Sequence, residues 1–202
     1  MARLAGQIDL SKNEAILDAA LFVLGERGLN ASMDEIARRA GVSKQTVYNH
    51  YGSKAELVRA IAERRVHEMT APLETPEGLE NPAEALRNFA RVLLRSVSNT
   101  STYNIYRLAV VNAPTMPDVA AAMFEAGPRA SRRKLADFFA KETRAGRLAC
   151  PVPMEAAEFF AGMVIGTLQT ATLLGVDLGY DEARIERIAG EATARFLKAY
   201  AR

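Results

Sequence analysis

The stretch Asp34-Glu-Ile-Ala-Arg-Arg-Ala-Gly-Val-Ser-Lys-Gln-Thr-Val-Tyr-Asn-His-Tyr51 decides the reading of this chain. It spells a short helix, a glycine turn and a second short helix. Ile36, Ala37 and Ala40 give the first of these, residues 33–40, an apolar side. Ala37 is small where two helices must approach. Gly41 allows the positive φ of a tight turn, and Ser43 can cap a helix over residues 44–50. Val42 and Val47 supply the buried side of that helix, which leaves Lys44, Gln45, Thr46, Tyr48, Asn49 and His50 facing outward. Lysine, glutamine and asparagine have the geometry to meet phosphates and base edges. The pattern is a helix-turn-helix whose second helix enters a major groove.

Outward from this stretch, three Ser-x-x-Glu matches punctuate the first third of the chain: Ser11 with Glu14, Ser32 with Glu35, and Ser53 with Glu56. In such a box the serine accepts from the N3 amide and the glutamate reaches back to the N-cap amide. They predict helices over 12–27, 33–40 and 54–70. Prolines and Gly78 then mark a loop over 71–82, and Asn81-Pro82 opens another helix. Helices follow over 103–113 and from Pro117, with an interruption expected at Gly127-Pro128 and a stop at Gly146. A long helix is expected over 154–174, and Asp181 caps the last one, to about 201. The chain reads as all-α. Its expected domains are a three-helix helix-turn-helix unit over 1–60 and a larger helical domain over 61–202, with about nine helices in all.

Composition agrees. Alanine accounts for 36 of 202 residues, and runs of β-branched residues are nearly absent, which favours helices over sandwiches and doubly wound sheets. A chain of this length buries about 70% of its extended surface without help from disulfides or metal. The single cysteine, Cys150, excludes an intrachain disulfide and multi-cysteine metal sites. With no signal-peptide pattern, it fits a reducing cytoplasm. The net charge of +2 says little, but Arg38, Arg39, Lys44 and Lys54 lie between Ile36 and Ala55 with no acid among them. One end of the molecule is therefore expected to face a polyanion. Residues 159–176 are free of charge, yet Thr167, Gln169, Thr170 and Thr172 make them half-polar. A buried helix fits them better than a membrane span.

Residues 11–65 resemble the DNA-binding domain of the tetracycline-repressor (TetR) family. The resemblance rests on Ile16, Ala20, Gly28, Ser32, Ile36, Ala37, Ala40-Gly-Val-Ser43, Tyr48, Tyr51, Ser53-Lys54 and Leu57. It implies phosphate contacts from Tyr48, Tyr51 and Lys54. Gln45 departs from the glycine that many members carry, so a relative's operator does not transfer. Tyr106-Arg-Leu-Ala-Val-Val, Met116-Pro-Asp-Val-Ala and Phe124-Glu-Ala-Gly-Pro128 resemble the C-terminal domain of AefR-like members, although Asn112 stands near a position that is often acidic in them. In that family the domain holds a small-molecule pocket, and its last two long helices pair with those of a second copy.

The candidate DNA contacts are therefore Ser43, Lys44, Gln45, Thr46, Tyr48, Asn49, His50, Tyr51 and Lys54. For a pocket, Tyr103, Tyr106, Phe124 and Phe138 combine apolar area with polar handles, as do Phe159, Met163 and Gln169. For the dimer interface the candidates are Gly162 and Gly166, with Ile185, Ile188 and Ala192 in the last helix. Nothing points to a catalyst, a cofactor or a metal. His67-Glu68 begins like H-E-x-x-H, but position 71 is alanine. The expected partners are a palindromic double-stranded operator, a small-molecule effector and a second copy of the chain, with no membrane. The expected function is ligand-responsive repression, with activation or a protein effector as the alternatives.

Overall fold

The computed structural model describes residues 5–75, 78 and 80–201. The described residues are mostly helical. Its elements are α1 (Ala5–Arg27), α2 (Met33–Ala40), α3 (Lys44–His50), α4 (Lys54–Thr70), α5 (Pro82–Ser98) and α6 (Thr100–Val111). These are followed by α7 (Pro117–Phe124), α8 (Ala130–Arg144), α9 (Pro153–Ile165), α10 (Leu168–Leu173) and α11 (Glu182–Tyr200). Among the described residues the only β pairing is one bridge, Leu148 with Ala201.

The helix starts follow the capping chemistry. Asn81 accepts from the Glu84 amide at 3.2 Å, with Pro82 at the first helical position. Asp181 accepts from the Arg184 amide at 2.8 Å and opens α11. Ser53 accepts from the Glu56 amide at 3.2 Å, while the Glu56 carboxylate takes the Gly52 amide at 2.7 Å. Each bond satisfies a donor that a helix's first turn would otherwise leave open.

Three expectations need correction. The first helix begins at Ala5, not near Lys12, so the Ser11–Glu14 pair lies inside α1. The helix expected over 154–174 is two helices. Gly166 stands at φ 51°, ψ −128°, a conformation closed to residues with a Cβ, and α9 stops there. At Gly127-Pro128 the chain does not leave the helix. Residues Glu125–Arg129 form a π turn that carries α7 into α8 and absorbs the proline's missing donor.

The described residues divide into two compact units: residues 5–64 with 104–127, and residues 65–103 with 128–201. The first unit is built on Ile16, Leu24, Ile36, Val47, Leu57 and Val58, with Ile105 and Val119 from the later segment in the same core. In the second unit the core is an aromatic cluster. Phe196 of α11 stacks on Phe139 of α8 at 4.7 Å between ring centroids and meets Phe160 of α9 edge-on at 5.1 Å. Offset and edge-to-face pairs of this kind add to plain area burial. Phe89 of α5 is also fully buried, 6.3 Å from Phe160. Across the α5–α11 contact, Glu186 accepts from Arg87 and Arg91, and Glu182 accepts from Arg95 at 2.6 Å.

Candidate nucleic-acid interface

The first unit positions α3 from both ends. At the start of α2, the Glu35 amide donates to Ser32 Oγ at 3.2 Å and the Ser32 amide donates to Glu35 Oε2 at 2.8 Å, a complete capping box. That backbone bond, helped by the nearby Arg27, holds the Glu35 carboxyl below its ordinary range. Gly41 then turns the chain at φ 68°, and the Val42 amide returns to the Ala37 carbonyl at 3.1 Å. Ser43 caps α3 by accepting from the Thr46 amide at 3.1 Å, and the two hydroxyls share a bond of 2.8 Å. Val47 is fully buried, so one side of α3 is fixed against the core.

The other side carries the candidates. Ser43, Lys44, Gln45, Tyr48 and Asn49 are exposed, while Thr46 and His50 are half-buried. Gln45 Nε2 donates to Asn49 Oδ1 at 2.8 Å, one turn along the helix. Lys44 Nζ lies 2.9 Å from Asp34 of α2 and 5.7 Å from the centre of the Tyr48 ring. Hydrogen bonding to Asp34 raises the Lys44 ammonium above its ordinary range, so it stays charged. Arg38 and Arg39 occupy the last turn of α2, and the Arg39 guanidinium lies 3.8 Å over the Phe22 ring.

Two candidates are placed differently from the rest. Tyr51 is 7% exposed, and its hydroxyl donates to Asn13 of α1. Burial pushes that phenol up. Lys54 reaches the Leu29 carbonyl beyond the end of α1, and its partial burial lowers the ammonium. Both side chains brace α3 and α4 against α1. Periodicity alone cannot reveal this, because the partners lie 38 and 25 residues away.

The pocket candidates fall in both units. Tyr106 and Phe124 belong to the first unit, the first half-buried and the second exposed. In the second unit Phe138 is core, Tyr103 packs half-buried against that core, Gln169 is half-buried, and Phe159 and Met163 face outward. A cavity of about 220 Å³ in this unit is lined by Leu73, Glu74, Lys134, Phe138, Lys141 and Arg144, among others. Only Phe138 among the candidates borders it. Of the interface candidates, Ile185 and Ala192 lie in the second unit's own core and Ile188 packs half-buried against it, while Gly162 and Gly166 are exposed. Sequence reasoning missed two polar features, the Asp34–Lys44 pair and the Glu74–Lys134 bridge at 2.8 Å beside the cavity. No group of three or more metal-ligating side chains is present among the described residues, and no helix there is long and apolar enough to cross a membrane.

Comparison with known proteins covers both segments. Residues 16–61 match the sequence model of bacterial regulatory proteins of the tetR family, and residues 84–202 match that of the AefR-like transcriptional repressor C-terminal domain. A solved TetR-family transcriptional regulator of Mesorhizobium loti aligns with a TM-score of 0.78 and 27% identity, over 96% of this chain and 98% of that one. The flavonoid-responsive regulator FrrA aligns with a TM-score of 0.71 and 33% identity, over 94% and 97%. TtgW of Pseudomonas putida, an uncharacterised HTH-type regulator, is 34% identical over 87 residues, which is 43% of this chain and 65% of that protein. The match thus spans under two thirds of that relative.

Proposed function

The chain belongs to the TetR family of bacterial transcription regulators, and from that premise we propose that it is a homodimeric repressor released from a palindromic operator by a small hydrophobic molecule. The observation that carries the DNA-binding part is the two-sidedness of α3. Val47 anchors it, while Ser43, Lys44, Gln45, Tyr48 and Asn49 stay outside. Thr46 and His50 flank this reading face. Tyr48 and Lys54 bind phosphate, while Tyr51, whose one hydroxyl proton goes to Asn13, holds α3 against α1 from inside. An ammonium has three protons, so Lys54 can serve Leu29 and a phosphate together. Such a protein works in the cytoplasm, where the chromosome is.

A second copy explains the outer side of α9. Phe159 is 59% exposed and Met163 44%, beside Gly162 and Gly166, which leave room for a close helix. Two recognition helices then read half-sites roughly 34–36 Å apart. The small-molecule effector belongs to the domain over 61–202. The response of FrrA to a flavonoid makes flat aromatic molecules the first class to try. The α4 helix, which contributes residues to both units, is the continuous link by which an effector changes operator affinity. Coupling of this kind is reciprocal, so operator must weaken effector binding by the same factor. The alternative, an activator or a regulator answering to a protein, keeps α3 and changes the partner.

Sedimentation equilibrium with a selected duplex tests this reading. Two chains per palindromic site are expected. One chain per site, or effector binding that ignores the duplex, contradicts it.

A further inference from the structure

Lys44 is the first residue of α3 and the only lysine on that helix. Its ammonium lies 2.9 Å from each oxygen of the Asp34 carboxylate, so the pair is close to symmetric. Both side chains remain open to water, Lys44 at 60% and Asp34 at 48%. Glu35, the next carboxylate on α2, is engaged elsewhere, on Arg27 and the Ser32 amide. Asp34 is thus the acid that meets the recognition helix. It also stands in the first turn of α2, where a carboxylate is favoured by the helix dipole.

A cation already matched to a carboxylate adds little to phosphate binding. Non-specific affinity comes from counterions released as lysines and arginines neutralise phosphates, at about 0.9 in the salt slope for each. We propose that Asp34 holds the Lys44 ammonium back from sequence-independent phosphate contact and so lowers affinity for random DNA. The proposal rests on the DNA-binding reading and names a control on that same surface. An exposed ion pair is weak, worth about fivefold at most. Asp34 therefore tunes binding and does not block it.

The test uses the full chain and a random-sequence duplex, with fluorescence anisotropy across a range of salt concentrations. Asp34→Asn is expected to tighten random-duplex binding about two- to fivefold and to steepen the salt slope by about one. In a Lys44→Ala background the same substitution is expected to change neither quantity. A gain of equal size in both backgrounds would mean that Asp34 repels DNA directly, and would overturn the proposal. So would unchanged or weaker binding by Asp34→Asn, in a protein whose thermal unfolding matches the parent. A second variant, Asp34→Ser, guards against a fault peculiar to asparagine and must give the same sign. Absence of salt-dependent binding by every variant, the parent included, would instead overturn the DNA-binding reading, and the proposal with it.

Discussion

Gln45 and Asn49 are joined across one turn of α3 by a bond of 2.8 Å from Nε2 to Oδ1. The bond leaves the Gln45 carbonyl oxygen and the Asn49 amide protons as an acceptor and donors on the exposed side. Adenine presents the complement, an acceptor at N7 and a donor at N6, in the major groove.

Gln45→Ala is therefore expected to cost about 1–3 kcal/mol on the preferred site and to relax base choice at one or two positions. Asn49→Ala should repeat much of that loss, and the double variant should fall short of the sum, because the two side chains act together. Binding measured on a panel of single-base operator variants decides this. Strict additivity with separate base positions would show that the residues read independently.

Lys54→Ala removes an ammonium that holds the Leu29 carbonyl and, on the proposed reading, a phosphate. Two effects are expected. The salt slope should fall by about one for every sequence alike. Urea unfolding should show a loss of about 1–2 kcal/mol, the range of a half-exposed charged hydrogen bond. An unchanged slope with reduced stability would make Lys54 a brace alone.

The helices of this chain were legible where caps announce them. Ser32, Ser43, Ser53, Asn81 and Asp181 each stand immediately before a helix, and each accepts the backbone bond that its position implies. Ser11 carries the same signature inside α1, because a local box cannot overrule helix that continues on both sides. The break at Gly166 was hidden, since no proline marks it and Gly162, one turn earlier, stays within the same helix. Most hidden was what distant residues do. That 104–127 joins the compact unit of residues 5–64 follows from packing, which has no local sequence mark. The inward aim of Tyr51 has the same origin, because Asn13 lies far back along the chain. On α3 itself the exposed side was readable from Val42 and Val47.

Phe196 is fully buried and stacks on Phe139 while its edge meets Phe160. Phe196→Ala should cost about 3–5 kcal/mol by urea denaturation, the range for emptying a packed aromatic site. Phe196→Leu should cost less. A loss below about 1 kcal/mol for the alanine variant would mean that the cluster collapses to fill the space.

Stability should fall in acid in a defined direction. The carboxyl of Glu35 is held below its ordinary range by the Ser32 amide, that of Glu74 by Lys134, and that of Glu182 by Arg95. A depressed folded-state value gives stability that is present above the unfolded value and lost as pH falls through the folded one. From the ordinary carboxyl value of 4.5 downward, the melting temperature should drop. Glu35→Gln should flatten that drop, read by calorimetry at a series of pH values. An equally steep drop in the variant would place the acid sensitivity elsewhere.

The most direct test of the central claim, that α3 reads a specific operator, is selection of bound fragments from the source genome at two salt concentrations. The account predicts that fragments sharing one palindromic site survive at the higher salt. Binding to every fragment at low salt, lost at high salt with no shared site, would contradict it.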